Sequence, residues 1–138
     1  MKRNTSQKLL AALALGAVVF AAGCSQRVSG KLQRIHFDLD QYAVKSEYQA
    51  AMKGNAAWLQ KNTKSKVTVE GHCDERGSTE YNIALGDRRA KSAKAYLQHL
   101  GVSGDRVSTI SYGEERPSCT DHNEGCWWKN RRAEFVAR

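Results

Sequence analysis

Residues 80–100 read EYNIALGDRRAKSAKAYLQHL, twenty-one residues without a proline. At 100° per residue, Asn82, Leu85, Gly86, Arg89, Ala93, Tyr96, Leu97 and Leu100 fall on one stripe about 120° wide. That periodicity predicts an amphipathic helix. Thr79 is placed to cap its N-terminus, Glu80 suits the positive end of the helix dipole, and Gly101 stops it. The stripe is apolar except towards its N-terminal end, where Arg89 lies inside it. Arg88 falls on the opposite, exposed side among Lys91 and Ala95. An arginine on a core-facing stripe needs a carboxylate or a bound anion, because burying an unpaired charge costs several kcal/mol.

The segments on either side change period. Residues 66–72 alternate, with Val67 and Val69 inward, and read as a strand. Residues 106–112 (RVSTISY) and 131–136 read as two more strands, and residues 33–37 as another with Ile35 and Phe37 on one face. Residues 44–62 place Tyr48, Ala51, Met52, Ala56 and Leu59 at helical spacing. The order β-α-β-α-β-β predicts an α+β two-layer sandwich, with two main helices on one face of a small mixed sheet.

The N-terminus belongs to another category. Lys2, Arg3 and Lys8 precede fourteen uncharged residues, 9–22, which are too few for a bilayer-spanning helix of about 20. They suit the apolar region of a secretory signal. Ala21-Ala22-Gly23-Cys24 then resembles the lipobox of bacterial lipoproteins, with Ala21 where leucine is usual. The expected division is a signal peptide over 1–23, a lipidated Cys24 with a short tether over 24–34, and one domain over 35–138. Ser25 after the cysteine points to the outer membrane, facing the periplasm. Ordinary secretion and an uncleaved anchor are the alternatives. The tether reaches at most roughly 35 Å.

The chain has 138 residues with a formal net charge of +8. Setting aside residues 1–23 removes three positive charges and leaves +5, too modest a bias to indicate nucleic acid. Of four cysteines, Cys119 and Cys126 lie seven apart in a turn-rich stretch and form the expected disulfide in an oxidising compartment. The competing arrangement is a metal site of Cys119, His122 and Cys126. Cys73 is left as a buried, unpaired thiol. Trp127 and Trp128 are read as packing residues.

The loop Cys73-Asp-Glu-Arg-Gly-Ser78 joins a strand to the helix carrying Arg89, and such entrances favour anions. Asp74 and Arg89 together define a two-signed pocket suited to a group with one ammonium and one carboxylate. The residues here become specific. Gly71-His-Cys-Asp-Glu-Arg-Gly77, Glu80-Tyr-Asn82 and Leu85-Gly-Asp-Arg-Arg-Ala90 occur in that order. Phe37-Asp38 precedes them, and Ser111-Tyr-Gly113 and Lys129-Asn-Arg-Arg132 follow. This series resembles the OmpA-like peptidoglycan-binding domain family over nearly all of residues 35–136. The resemblance implies non-covalent binding of peptidoglycan through meso-diaminopimelate of uncrosslinked stems. Asp74 would take its ammonium and Arg89 its carboxylate. Asn82 and Leu85 would line the pocket, and Phe37 and Asp38 would close its other side. Arg131 or Arg132 would add a contact, strand alternation leaving open which. Lipid-anchored members belong to the Tol–Pal system, so the resemblance also implies a TolB-like periplasmic partner and a part in envelope integrity and cell division.

No G-x-S-x-G, H-E-x-x-H, P-loop or G-x-G-x-x-G is present, so no enzyme, cofactor or metal centre is expected. The pair His72-Cys73 is only a weak suggestion of a thiol nucleophile. Asp38 and Asp40 begin a calcium-loop pattern that does not continue. The function class left as an alternative is an exported, lipid-anchored metal or redox module using the cysteines and histidines.

Overall fold

The computed structural model describes residues 31–138. The signal segment, Cys24 and most of the tether lie outside the described residues. Seven elements follow in order: β1 (Ile35–His36), α1 (Gln49–Lys61), β2 (Val67–His72), α2 (Thr79–His99), β3 (Val107–Gly113), α3 (Glu124–Asn130) and β4 (Arg132–Ala137). The four strands form one sheet in the order β1-β4-β2-β3. β2 runs parallel to β3 and antiparallel to β4, and β1 pairs antiparallel with β4. The expected mixed sheet with two main helices on one face is what forms.

Side-chain period determines the layers. Val67 and Val69 of β2, Val107 of β3, Ala133 and Phe135 of β4, and Ile35 and Phe37 at β1 share a core with Met52, Ala56 and Leu59 of α1. Ala90, Ala93 and Leu97 complete it from α2. Tyr96 and Leu100 are only partly buried. Among the described residues no helix is long and apolar enough to cross a membrane.

Two details differ from the sequence expectation. The N-cap of α2 is Ser78, whose hydroxyl accepts from the Tyr81 N–H at 3.2 Å, and Thr79 is the first helical residue. The expected order also lacked α3. Its seven residues are held by tertiary contacts that periodicity cannot reveal. Cys126 is buried and bonded to Cys119, and Asn130 Oδ1 accepts from the backbone N–H of Ser118 and Cys119 at 2.8 and 3.1 Å.

Two glycines let helix and sheet approach closely. A Cβ on Gly71 would lie 1.8 Å from the Gly86 carbonyl oxygen, and one on Gly86 would lie 2.3 Å from Ser111 Oγ. The first turns of α2 therefore press directly on the end of β2. One turn further along α2, Arg89 meets the C-terminal end of that strand.

Candidate functional site

Arg89 is fully buried, at 0% exposure. Its guanidinium donates from Nε to the Gln41 carbonyl at 2.8 Å, from Nη1 to that of His72 at 2.9 Å, and from Nη2 to that of Asp38 at 3.0 Å. It also lies 5.2 Å over the Phe37 ring. Two segments distant in sequence, residues 37–41 and the end of β2, thus converge on one side chain. Among the described residues no carboxylate forms a salt bridge with it. Burial lowers its pKa from the ordinary value, the direction expected for a cation lacking a counter-ion.

Asp74, 4% exposed, is not Arg89's ion-pair partner. Its Oδ2 accepts from Arg76 Nη2 at 2.7 Å and from Arg131 Nη1 at 3.2 Å, and its Oδ1 from the Arg76 N–H at 3.0 Å. Burial works against its charge, but these guanidinium and backbone donors together hold the carboxyl below its ordinary value. The pairing of Asp74 with two nearby arginines leaves Arg89 as the uncompensated charge. Both line one cleft with Asn82, Leu85 and Arg131, and with Leu39 and Asp40.

The remaining expected residues take different parts. Asn82 is buried; its amide donates to the Asp74 and Arg76 carbonyls at 3.3 and 3.1 Å and to a Glu114 carboxylate oxygen, so it shapes the loop at the cleft. Leu85 is an apolar wall. Phe37 and Asp38 do not form the opposite wall with their side chains. Phe37 packs in the core beneath Arg89, and Asp38 contributes its carbonyl while its carboxylate pairs with Lys45 at 3.0 Å. The wall is built instead by Leu39 and Asp40. Asp40 holds φ +56°, a conformation aspartate tolerates better than most residues, and accepts from the Tyr81 hydroxyl at 3.0 Å.

The choice between the two arginines resolves at the α3–β4 junction. Arg131 turns into the cleft, bonding the Phe37 carbonyl at 3.0 Å, Asp74 and Glu124. Arg132, inside the strand, turns to the other sheet face and meets Glu134 at 2.7 Å. Sequence reasoning missed Arg76, whose guanidinium stacks 4.1 Å over Trp127. It also missed Glu75, which accepts from the Trp127 indole at 2.8 Å and pairs with His122 at 2.7 Å. Trp128, read as packing, is 43% exposed and lies against His36.

Cys119 and Cys126 form a disulfide with Cα atoms 5.4 Å apart, so neither thiolate is available for the metal or redox arrangement weighed against it. Cys73 is free and buried; burial pushes its thiol up to about 11, an inert rather than nucleophilic sulfur.

Comparison with known proteins agrees with this fold. The OmpA family matches residues 36–127. The peptidoglycan-associated lipoprotein of Brucella melitensis biotype 1 is 43% identical over 125 residues, covering 90% of this chain and 74% of that protein. That of Rhizobium meliloti strain 1021 is 44% identical over 127 residues, covering 91% and 72%. Among solved structures, the peptidoglycan-associated lipoprotein from Burkholderia pseudomallei superposes with a TM-score of 0.74 at 37% identity, covering 76% of this chain and 89% of that one.

Proposed function

This chain belongs to the OmpA family, its curated relatives being peptidoglycan-associated lipoproteins, and from that premise we propose that it holds the cell wall through the free end of meso-diaminopimelate. The observation that carries the proposal is Arg89, a buried guanidinium bonded to three carbonyls and, among the described residues, to no carboxylate. A guanidinium has five N–H donors, so three carbonyls leave two, one on each terminal nitrogen. A ligand carboxylate would supply both acceptors and the missing negative charge. The ammonium on the same carbon would fall towards Asp74, a carboxylate already ionised by its neighbours. Arg76, less buried than Arg131, is the partner that gives way.

The site binds and releases; it has no nucleophile, and no covalent step is assigned to it. We place the domain over 35–138, with residues 1–23 as a cleaved signal and Cys24 as the lipidated outer-membrane anchor. Membership of the Tol–Pal system, with a TolB-like partner and a role in envelope integrity and division, completes the reading.

The test is calorimetric titration with a soluble stem peptide ending in meso-diaminopimelate, against the same peptide ending in lysine. Lysine at that place lacks the second carboxylate. Saturable binding of the first alone supports the reading. Equal affinity for both would remove Arg89's part in it.

A further inference from the structure

The sheet face turned away from the helices carries a second group of residues that wall binding does not use. Alternation turns Glu70 and His72 of β2, and Arg132 and Glu134 of β4, to this face. The antiparallel register sets Glu70 opposite Glu134 and His72 opposite Arg132. We propose that Glu70, His72 and Glu134 form a binding site for a divalent transition-metal cation, of which zinc is the best fit.

One ligand atom from each of the three lies within 4.8 Å of the others. His72 is 1% exposed, and neither of its ring nitrogens has a hydrogen-bond partner. Glu70 Oε2 lies 3.6 Å from its Nε2, just beyond hydrogen-bond range. The ring is held in place by stacking on Tyr112 at 5.5 Å, and Tyr112 is itself covered by the Arg116 guanidinium at 3.7 Å. A buried imidazole aimed at two carboxylates, with nothing bonded to it, is what a missing ligand-sharing partner leaves behind.

The carboxylates are prepared differently. Glu134 Oε1 accepts from Arg132 Nε at 2.7 Å, with Arg34 at 3.5 Å, so this acid is oriented from behind. Its Oε2 has no bond from a described residue. That is the arrangement in which an outer hydrogen bond fixes a metal-binding carboxylate. Glu70 forms no salt bridge with a described lysine or arginine. One nitrogen and two oxygens suit zinc, whereas calcium and magnesium take oxygen alone. Zinc bonds of 2.0–2.2 Å place tetrahedral donors about 3.4 Å apart. The Glu70–His72 separation is close to that already, and two partly exposed glutamates can rotate to close the rest, with water in the fourth position. Arg34, Arg116 and Arg132 oppose a cation, which favours an exchangeable site over a permanently filled one. The sequence pattern gave no hint of it, since E-x-H on a strand with a third ligand on another strand is not a recognised spacing.

The full chain in detergent, stripped with chelator, is titrated with Zn²⁺ by calorimetry and with Co²⁺ by visible absorption, with Mg²⁺ as control. The expected result is one equivalent of zinc and the intense bands of four-coordinate cobalt. Glu70→Gln and His72→Gln should each weaken affinity by more than about tenfold. Absence of saturable zinc binding by the wild-type chain would overturn the site. So would undiminished binding in Glu70→Gln, which would assign the metal elsewhere. Because Glu70 is only partly buried and forms no salt bridge with a described lysine or arginine, that variant keeps the test decisive even where His72→Gln unfolds.

Discussion

Arg89→Lys separates charge from hydrogen-bond count. Arg89 spends Nε–H and one N–H from each terminal nitrogen on the carbonyls of Gln41, His72 and Asp38, at 2.8, 2.9 and 3.0 Å. Two donors remain for a ligand carboxylate. A lysine ammonium has three donors in all. Where it satisfies the three carbonyls it has none left, although its positive charge is unchanged. The loss is two charge-assisted hydrogen bonds of about 1.5–3 kcal/mol each, offset in part by the Coulombic attraction that persists. A net loss of about 2–3 kcal/mol weakens the dissociation constant of the diaminopimelate peptide roughly 30- to 150-fold. Calorimetric titration of both proteins reads this directly, and circular dichroism checks that the fold survives. A lysine variant binding within about threefold of wild type would refute the donor count and leave charge alone as the determinant.

Arg76→Ala removes the more exposed of the two arginines paired with Asp74, so ligand affinity should rise by about fivefold, the equivalent of about 1 kcal/mol for a partly exposed pair; a fall would mean that Arg76 contacts the ligand itself. Gly86→Ala sets a methyl 2.3 Å from Ser111 Oγ and 3.0 Å from the Gly71 carbonyl oxygen, and should destabilise by about 1–3 kcal/mol, read as a lower thermal midpoint. Cys126→Ser opens the loop closed by the disulfide and should lower stability by about 2.5 kcal/mol in denaturant titration. The Asp74 carboxyl is held below its ordinary 3.8, so its contribution to stability is complete above that pH and is lost as pH falls through the lowered value. A side-chain carbon NMR titration of Asp74 with its midpoint at or above 3.8 would contradict the Arg76–Asp74–Arg131 arrangement.

What the sequence disclosed was whatever depends on period. Alternation located β2 through Val67 and Val69, and the helical stripe placed Arg89 inside and Arg88 outside from angle alone. What it hid depends on atoms without residue identity. The three acceptors of Arg89 are backbone carbonyls, and every residue type carries one; no reading of side chains selects Asp38, Gln41 and His72. Side chains alone offer Asp74 as the nearest acid to Arg89, yet its own partners lie two and fifty-seven positions away. Helix α3 escaped because seven residues containing Gly125 have little helical preference, and the disulfide and Asn130 supply what propensity lacks. The orphaned His72 escaped because absence of a partner is visible only in three dimensions.

The way Arg89 is held also has a mechanical side. For a chain tethered upstream and gripping the wall at this cleft, tension enters at residue 31 and leaves at α2. Between them stand the Asn55 amide on the Gln33 backbone, the two-residue strand β1, and the paired bonds between Phe37 and Arg131. Next come the Asp38 and Gln41 carbonyls, two of the three that seat the guanidinium. Force that strips residues 33–41 from the domain draws Ile35 and Phe37 out of the core and unseats Arg89 in the same event, so the linkage would let go of the wall as that edge of the domain opens.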